Sequence, residues 1–293
     1  MRTSVMSRRS FQSIINHINS TPSSFSLIQA DDDWLLSLND SREKEVHIAI
    51  LDSSFNPPTK AHLALASSSP PQLSSSKALK QPSYTARLLL FTPKNAAKTP
   101  LASDATLLQR LEMMSLLASS LRSSNSRCEP VAIGLVHAPN FVNKAQILRE
   151  YLIDTLGKQK GEGVKMSFLV GMDTLERIFD EKYYPSGEMN NQLNNLFETP
   201  PTGAGARLVS ARRGSIEENR RLENDLMARP SIAKWVEKGD VSVLGNGGEG
   251  WEDISSTLVR QAVRQEDWKM VEELVSEEVG EYIRRERLYA VSK

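Results

Sequence analysis

Apolar residues in this chain gather into short runs of four to six positions, separated by stretches in which they recur every three or four positions. The runs Val46–Leu51, Arg87–Phe91, Val131–Val136, Met166–Val170, Arg207–Ser210 and Val241–Leu244 predict six buried β-strands. Helical spacing follows most of them. Pro58 or Thr59 opens a helix carrying Leu63 and Leu65, and Asp104–Leu121 carries Leu107, Leu108, Leu111, Met114 and Leu117 on one face. Further helices are predicted near Val142–Leu156, from about Thr174, over Glu217–Met227 and 254–264, and near Trp268–Leu274 and Ser276–Arg287. Polar Gly187–Thr202, with its Asn and Pro, predicts a loop. Strands alternating with helices imply an α/β fold: a doubly wound, mostly parallel sheet with helices on both faces. In such folds ligands bind at the carboxyl ends of the strands.

The pattern divides the chain into an N-terminal extension or helix over 1–45 and one domain over 46–293. A Ser- and Pro-rich segment near 67–83 cannot pack a core and reads as a surface insertion. With 36 basic and 36 acidic side chains, no global field favours nucleic acid. No apolar run approaches the ~18 residues of a membrane span. The single cysteine, Cys128, fits a reducing compartment, so cytoplasm or nucleus is expected. The Arg- and Ser-rich, acid-free start before Asp31 resembles a mitochondrial presequence and supplies the alternative location. A surface helix around Phe11, Ile14, Ile15 and Ile18 is the other reading of that segment.

Unusual polar clusters fall at the ends of predicted strands. Ser53, Ser54, Phe55, Asn56 and Pro57 follow the first strand, and His62 lies just inside the next helix. Free N–H groups at such a turn, together with the helix dipole, attract anions, and the His ring can join them. A His capping a local carbonyl is the structural alternative. After the sixth strand comes Ile254-Ser255-Ser256-Thr257 with Arg260 one turn on. Ser and Thr there are ordinary N-caps, yet their hydroxyls with a guanidinium also make a phosphate clamp.

"SSFNPPTKAH" resembles the [G/S]-S-F-[N/D]-P-x-[H/T]-x-x-H signature of the nucleotidylyltransferase superfamily. More narrowly, it resembles the S-F-N-P-x-T-x-x-H form of eukaryotic nicotinamide mononucleotide adenylyltransferases, with Thr59 and His62 at the matching positions. Ser53 stands where the family usually has Gly, and Ala61 where bacterial members have Gly. "ISSTLVR" resembles the second signature, I-S-S-T-x-x-R, without departure, about two hundred residues downstream. "FLVGMDTLERI" resembles the G-x-D segment through Gly171 and Asp173, and "LVSARRG" the V-x-x-R-x-G segment through Arg212 and Gly214. "EYIRRERLY" resembles the closing helix with its Leu-Tyr tail. Together these look most like the divergent fungal, promoter-of-filamentation-like branch.

The resemblance implies transfer of AMP from ATP to nicotinamide mononucleotide, giving NAD and pyrophosphate. It implies catalytic roles for His62, Arg260 and Thr59. It implies ATP or substrate contacts for Ser53, Ser54, Phe55, Asn56, Gly171, Asp173, Arg212, Ile254, Ser255, Ser256 and Thr257. Lys94, Lys98 and Arg110 fall where relatives keep basic residues near substrate phosphate. The resemblance also implies Mg²⁺ bound mainly through the ATP phosphates; the chain itself shows no HExxH and no zinc-ligand spacing. Two alternatives stay open: a different phosphate acceptor, or a nucleotide-binding regulator with little catalysis. Trp235 and Trp251 are candidates for stacking on a ring, with packing as the competing role. The oligomeric state is left open.

Overall fold

The computed structural model describes residues 24–34, 38, 45–71, 83–93, 104–123, 129–138, 140–212, 216–244, 250–251 and 253–290. Among these, seven strands form one sheet: β1 (Phe25–Ala30), β2 (His47–Ser53), β3 (Ala86–Phe91), β4 (Val131–Val136), β5 (Lys165–Gly171), β6 (Ala206–Ala211) and β7 (Val241–Val243). Their spatial order is β1-β4-β3-β2-β5-β6-β7. Every neighbouring pair is parallel except β1–β4. The architecture is α/β and Rossmann-like, as the alternation implied.

The sheet is apolar on both faces because helices cover both. Helices α1 (Lys60–Ser67) and α2 (Leu107–Ser123) bury Leu65, Leu111, Met114 and Leu117 against Ala49, Leu51, Leu89 and Ile133. On the other face lie α3 (Phe141–Leu156), α5 (Met172–Ile178), α6 (Met189–Phe197) and α8 (Pro230–Lys238). Their buried residues, Leu148, Leu175, Leu193 and Trp235 among them, meet Ile48, Ile50, Leu88 and Phe168. A short α4 (Lys158–Gly163) continues from α3, and α7 (Ile216–Met227) precedes α8. The C-terminal helices α9 (Ser256–Arg264), α10 (Trp268–Leu274) and α11 (Glu277–Arg285) build a third cluster around Val259, Val271, Val279 and Ile283 that also takes in Met113 of α2. Among the described residues, no helix is long and apolar enough to cross a membrane.

Four elements differ from the sequence expectation or extend it. Residues 25–30, assigned to the extension, form β1 on the sheet edge, antiparallel to β4. The expected loop at Gly187–Thr202 contains α6, whose Met189, Leu193, Leu196 and Phe197 fall on one buried stripe. Its four Asn residues hid a helical period that packing, not propensity, enforces. Helices α4 and α8 were not anticipated. Residues 1–23 of the suggested presequence, most of the Ser/Pro insertion, Cys128, Gly214, Lys94 and Lys98 lie outside the described residues.

Candidate functional site

The β2-α1-β3-α2-β4 connections run over one face, and the chain then crosses to α3 on the other before returning as β5 beside β2. The carboxyl end of β2 therefore borders a crevice at the reversal of winding, where open α/β sheets bind ligands. Ser53, the last residue of β2, opens into a turn made from Ser54, Phe55, Asn56 and Pro57. Two backbone features shape that turn. Phe55 holds a left-handed φ of 44° and the Asn56–Pro57 bond is cis. The Phe55 ring is fully buried, with its centroid 5.4 Å from the His62 ring.

Thr59 is the N-cap of α1 and His62 its third residue, and the two form a reciprocal capping box. The His62 N–H faces Thr59 Oγ1 at 3.4 Å, while the Thr59 N–H donates to His62 Nδ1 at 3.1 Å. The Thr59 hydroxyl lies a further 2.8 Å from Nδ1. An Nδ1 that accepts a backbone N–H carries no proton, so the neutral ring is protonated at Nε2. That Nε2–H donates to Ser53 Oγ at 2.9 Å, across the mouth of the turn. Burial lowers the His62 pKa to about 4, so in the free protein the ring is a neutral donor at neutral pH. Thr59 thus sets the tautomer and the aim of His62. The local role differs from the carbonyl cap raised as an alternative, since Nδ1 accepts the Thr59 N–H instead, and it leaves Nε2 to face a ligand.

The second motif arrives from the far end of the chain. Ser255 is the N-cap of α9, its hydroxyl accepting from the Leu258 N–H at 3.3 Å. Ser256 Oγ donates to the Pro57 carbonyl at 2.7 Å. Arg260 spends one Nη on the Asn56 carbonyl at 2.7 Å and the other on Thr257 Oγ1 at 3.3 Å. Thr257 is exposed, and Ile254 packs against the C-terminal cluster. The N-terminus of α9 and the N-terminus of α1 are thereby fastened to one turn, with the positive ends of both helix dipoles at the same place.

Asn56 is satisfied inside the protein. Its amide donates to Asp104 Oδ1 at 2.7 Å, and its Oδ1 accepts from the Tyr289 hydroxyl at 2.9 Å and the Ala105 N–H at 3.2 Å. Its part in the site is to hold the turn. Arg110 pairs with Asp104 at 3.5 Å and donates to the Ala105 carbonyl at 2.8 Å. Burial, and then nearby Arg260, act to lower the Arg110 pKa, against the pull of Asp104. Tyr289 follows α11 in a left-handed conformation and is buried, which raises its pKa.

Other expected residues lie along the same sheet edge. Gly171 ends β5 and caps α5, and a Cβ there would meet open space. Asp173 is exposed in the first turn of α5. Arg212, one residue beyond β6, pairs with Glu223 of α7 at 2.9 Å. Trp235 is 1% exposed and packs on Phe197 with ring centroids 4.6 Å apart, so stacking on a ligand is excluded for it. Trp251 is partly buried against the α1–α2 side of the core. Sequence reasoning missed the buried Asp52–Lys144 pair at 2.5 Å and the Asn56–Tyr289 contact. An Asp closing an apolar strand was the available signal for the first; nothing local marked the second.

No family model matches the sequence. The chain is 29% identical over 239 residues to the "Putative nicotinamide mononucleotide adenylyltransferase" of Schizosaccharomyces pombe, covering 79% of this chain and 82% of that protein. In fold it is similar to Plasmodium falciparum nicotinic acid mononucleotide adenylyltransferase. The form complexed with NaAD gives a TM-score of 0.53 at 15% identity, covering 84% of this chain and 98% of the other. The form complexed with APC gives 0.52 at 14% identity over the same shares.

Proposed function

We propose that this protein is an adenylyltransferase that moves AMP from ATP to nicotinamide mononucleotide, releasing NAD and pyrophosphate. The observation that carries the reading is the fastening of α9 to the Asn56–Pro57 turn through Ser256 and Arg260, beside the aimed Nε2–H of His62. Two separate anion-binding motifs converge on one spot, as a polyphosphate requires. The name of the Schizosaccharomyces pombe relative supports the acceptor assignment.

The chemistry asks for little proton transfer. A phosphate oxygen of the mononucleotide, already anionic, attacks the α-phosphorus of ATP. The bond from that phosphorus to the bridging oxygen of the β-phosphate breaks, and pyrophosphate leaves. What the protein must supply is alignment and compensation of charge on two approaching anions. His62 turns its Nε2–H from Ser53 to a triphosphate oxygen and stabilises charge as it builds on the transferring group. Arg260 and the free N–H groups of α9 hold the outer phosphates, and Thr59 keeps His62 in the donating tautomer. Among the described residues, no group of three or more His, Cys, Asp or Glu could hold a metal. The hydroxyls, guanidinium and helix termini present suit a triphosphate, and Mg²⁺ bound through the ATP oxygens would neutralise part of their charge.

The test incubates the full chain with MgATP and nicotinamide mononucleotide, reading NAD by a coupled dehydrogenase and pyrophosphate separately. Equal amounts of both are expected. Parallel reactions with nicotinate mononucleotide define acceptor preference. No pyrophosphate with either acceptor would overturn the reading.

A further inference from the structure

Asp52 and Lys144 lie where elementary rules would put neither charge. Lys144 sits in the first turn of α3, at the positive end of its dipole, and is 6% exposed at the side chain. Asp52 ends an otherwise apolar strand core and is 7% exposed at the side chain. It follows Ile48 and Ile50 in the alternation of β2, so it faces the α3 side of the sheet, opposite Ser53 and His62. Lys144 Nζ meets Asp52 Oδ2 at 2.5 Å and stands 5.0 Å from the centroid of the Phe141 ring. The Thr92 hydroxyl, just past β3, lies 3.5 Å from Asp52 Oδ1.

Stability alone does not account for the pair, because apolar residues of similar volume serve a core as well as a buried ion pair does. Its position does. Asp52 immediately precedes the turn read above as a polyphosphate site, and it ties the ends of β2 and β3 to the start of α3. Left uncompensated, its carboxylate would repel a triphosphate from a place where solvent screens poorly. We infer that Lys144 is a positioning residue for the nucleotide: it cancels the Asp52 charge and so keeps the Ser53–Pro57 turn attractive to the triphosphate. The inference rests on the proposal that this turn binds ATP.

The test compares binding of MgATP and of adenosine to the full chain by titration calorimetry, with circular dichroism as the control for folding. Wild type must first bind MgATP; if it does not, the functional reading fails before this one is reached. Lys144→Met is expected to weaken MgATP by about tenfold or more while adenosine binding stays within about twofold, because only the triphosphate feels the bare carboxylate. Asp52→Asn, which leaves the lysine charge, is expected to bind MgATP as tightly as wild type or more tightly. The double variant should return to within about threefold of wild type. If Lys144→Met fails to fold, the other two variants carry the test. Weaker MgATP binding by folded Asp52→Asn would overturn the inference, as would equal losses for MgATP and adenosine in Lys144→Met.

Discussion

Removing the His62 ring separates its two jobs, because each nitrogen has its own partner. Nδ1 accepts from the Thr59 N–H at 3.1 Å, and Nε2 points at Ser53 Oγ at 2.9 Å. His62→Ala loses both. The cap contributes about 1 kcal/mol, the usual worth of such a bond at a helix start. In a protein of 293 residues that lowers Tm by only a few degrees. The Nε2–H is the larger loss to turnover. One preorganised donor on a developing negative charge is worth about 10²- to 10³-fold in rate, or roughly 3–4 kcal/mol of barrier. His62→Asn refines the experiment: its Oδ1 stands two bonds from Cβ, as Nδ1 does, so it keeps the cap, but nothing reaches Ser53. The expectation is near-wild-type Tm for Asn, a slightly lowered Tm for Ala, and turnover down more than ~100-fold in both. Steady-state release of pyrophosphate, with Tm measured on the same samples, reads both quantities. Folded His62→Asn with turnover within tenfold of wild type would refute the role.

Four further outcomes follow from the geometry. Arg260→Lys keeps a charge but loses the fork that spans the Asn56 carbonyl and Thr257, so KM for ATP should rise about tenfold or more, checked by initial rates. Trp235→Ala opens a core cavity costing about 3–5 kcal/mol, visible as a lower denaturation midpoint, yet activity per folded molecule should be unchanged. Tyr289→Phe removes the hydroxyl from Asn56 Oδ1, which keeps the Ala105 N–H, so a loss of about 1 kcal/mol is expected by the same denaturation. The pH dependence of the free protein has a definite sign. Burial lowers both His62 and His47 to about 4, below the 6.5 of an unfolded His, so the unfolded chain binds more protons between these values. Their stabilising contribution is whole above pH 6.5 and is lost as pH falls toward 4, on the order of 3 kcal/mol for each. Tm across pH 7 to 4 measures the slope, which His62→Asn should reduce.

The sequence by itself determined what is local. A strand buried on both faces must be a continuous apolar run, and a helix on a core must repeat its apolar residues every three or four positions. The six strands anticipated and the long helices α2 and α3 follow from those two periods. The Ser255 cap was equally legible, written three residues from the Leu258 N–H it accepts, whereas the reciprocal cap of Thr59 and His62 was not anticipated. Only the tertiary structure decided the rest, because it rests on contacts between residues far apart in the chain. That α9 closes on the phosphate turn depends on Ser256 meeting Pro57, 199 residues away, and Arg260 meeting Asn56, 204 away. Residues 25–30 became a strand because β4 offered an open edge, and the Asn-rich α6 became a helix because its apolar stripe had a sheet to cover. Trp235 went to the core because Phe197 and the sheet face left room for it there. Lys144 defies the dipole of its own helix because Asp52, 92 residues earlier, stands opposite it. Local periodicity selects elements, whereas burial against a distant neighbour selects partners, and the site is made of partners.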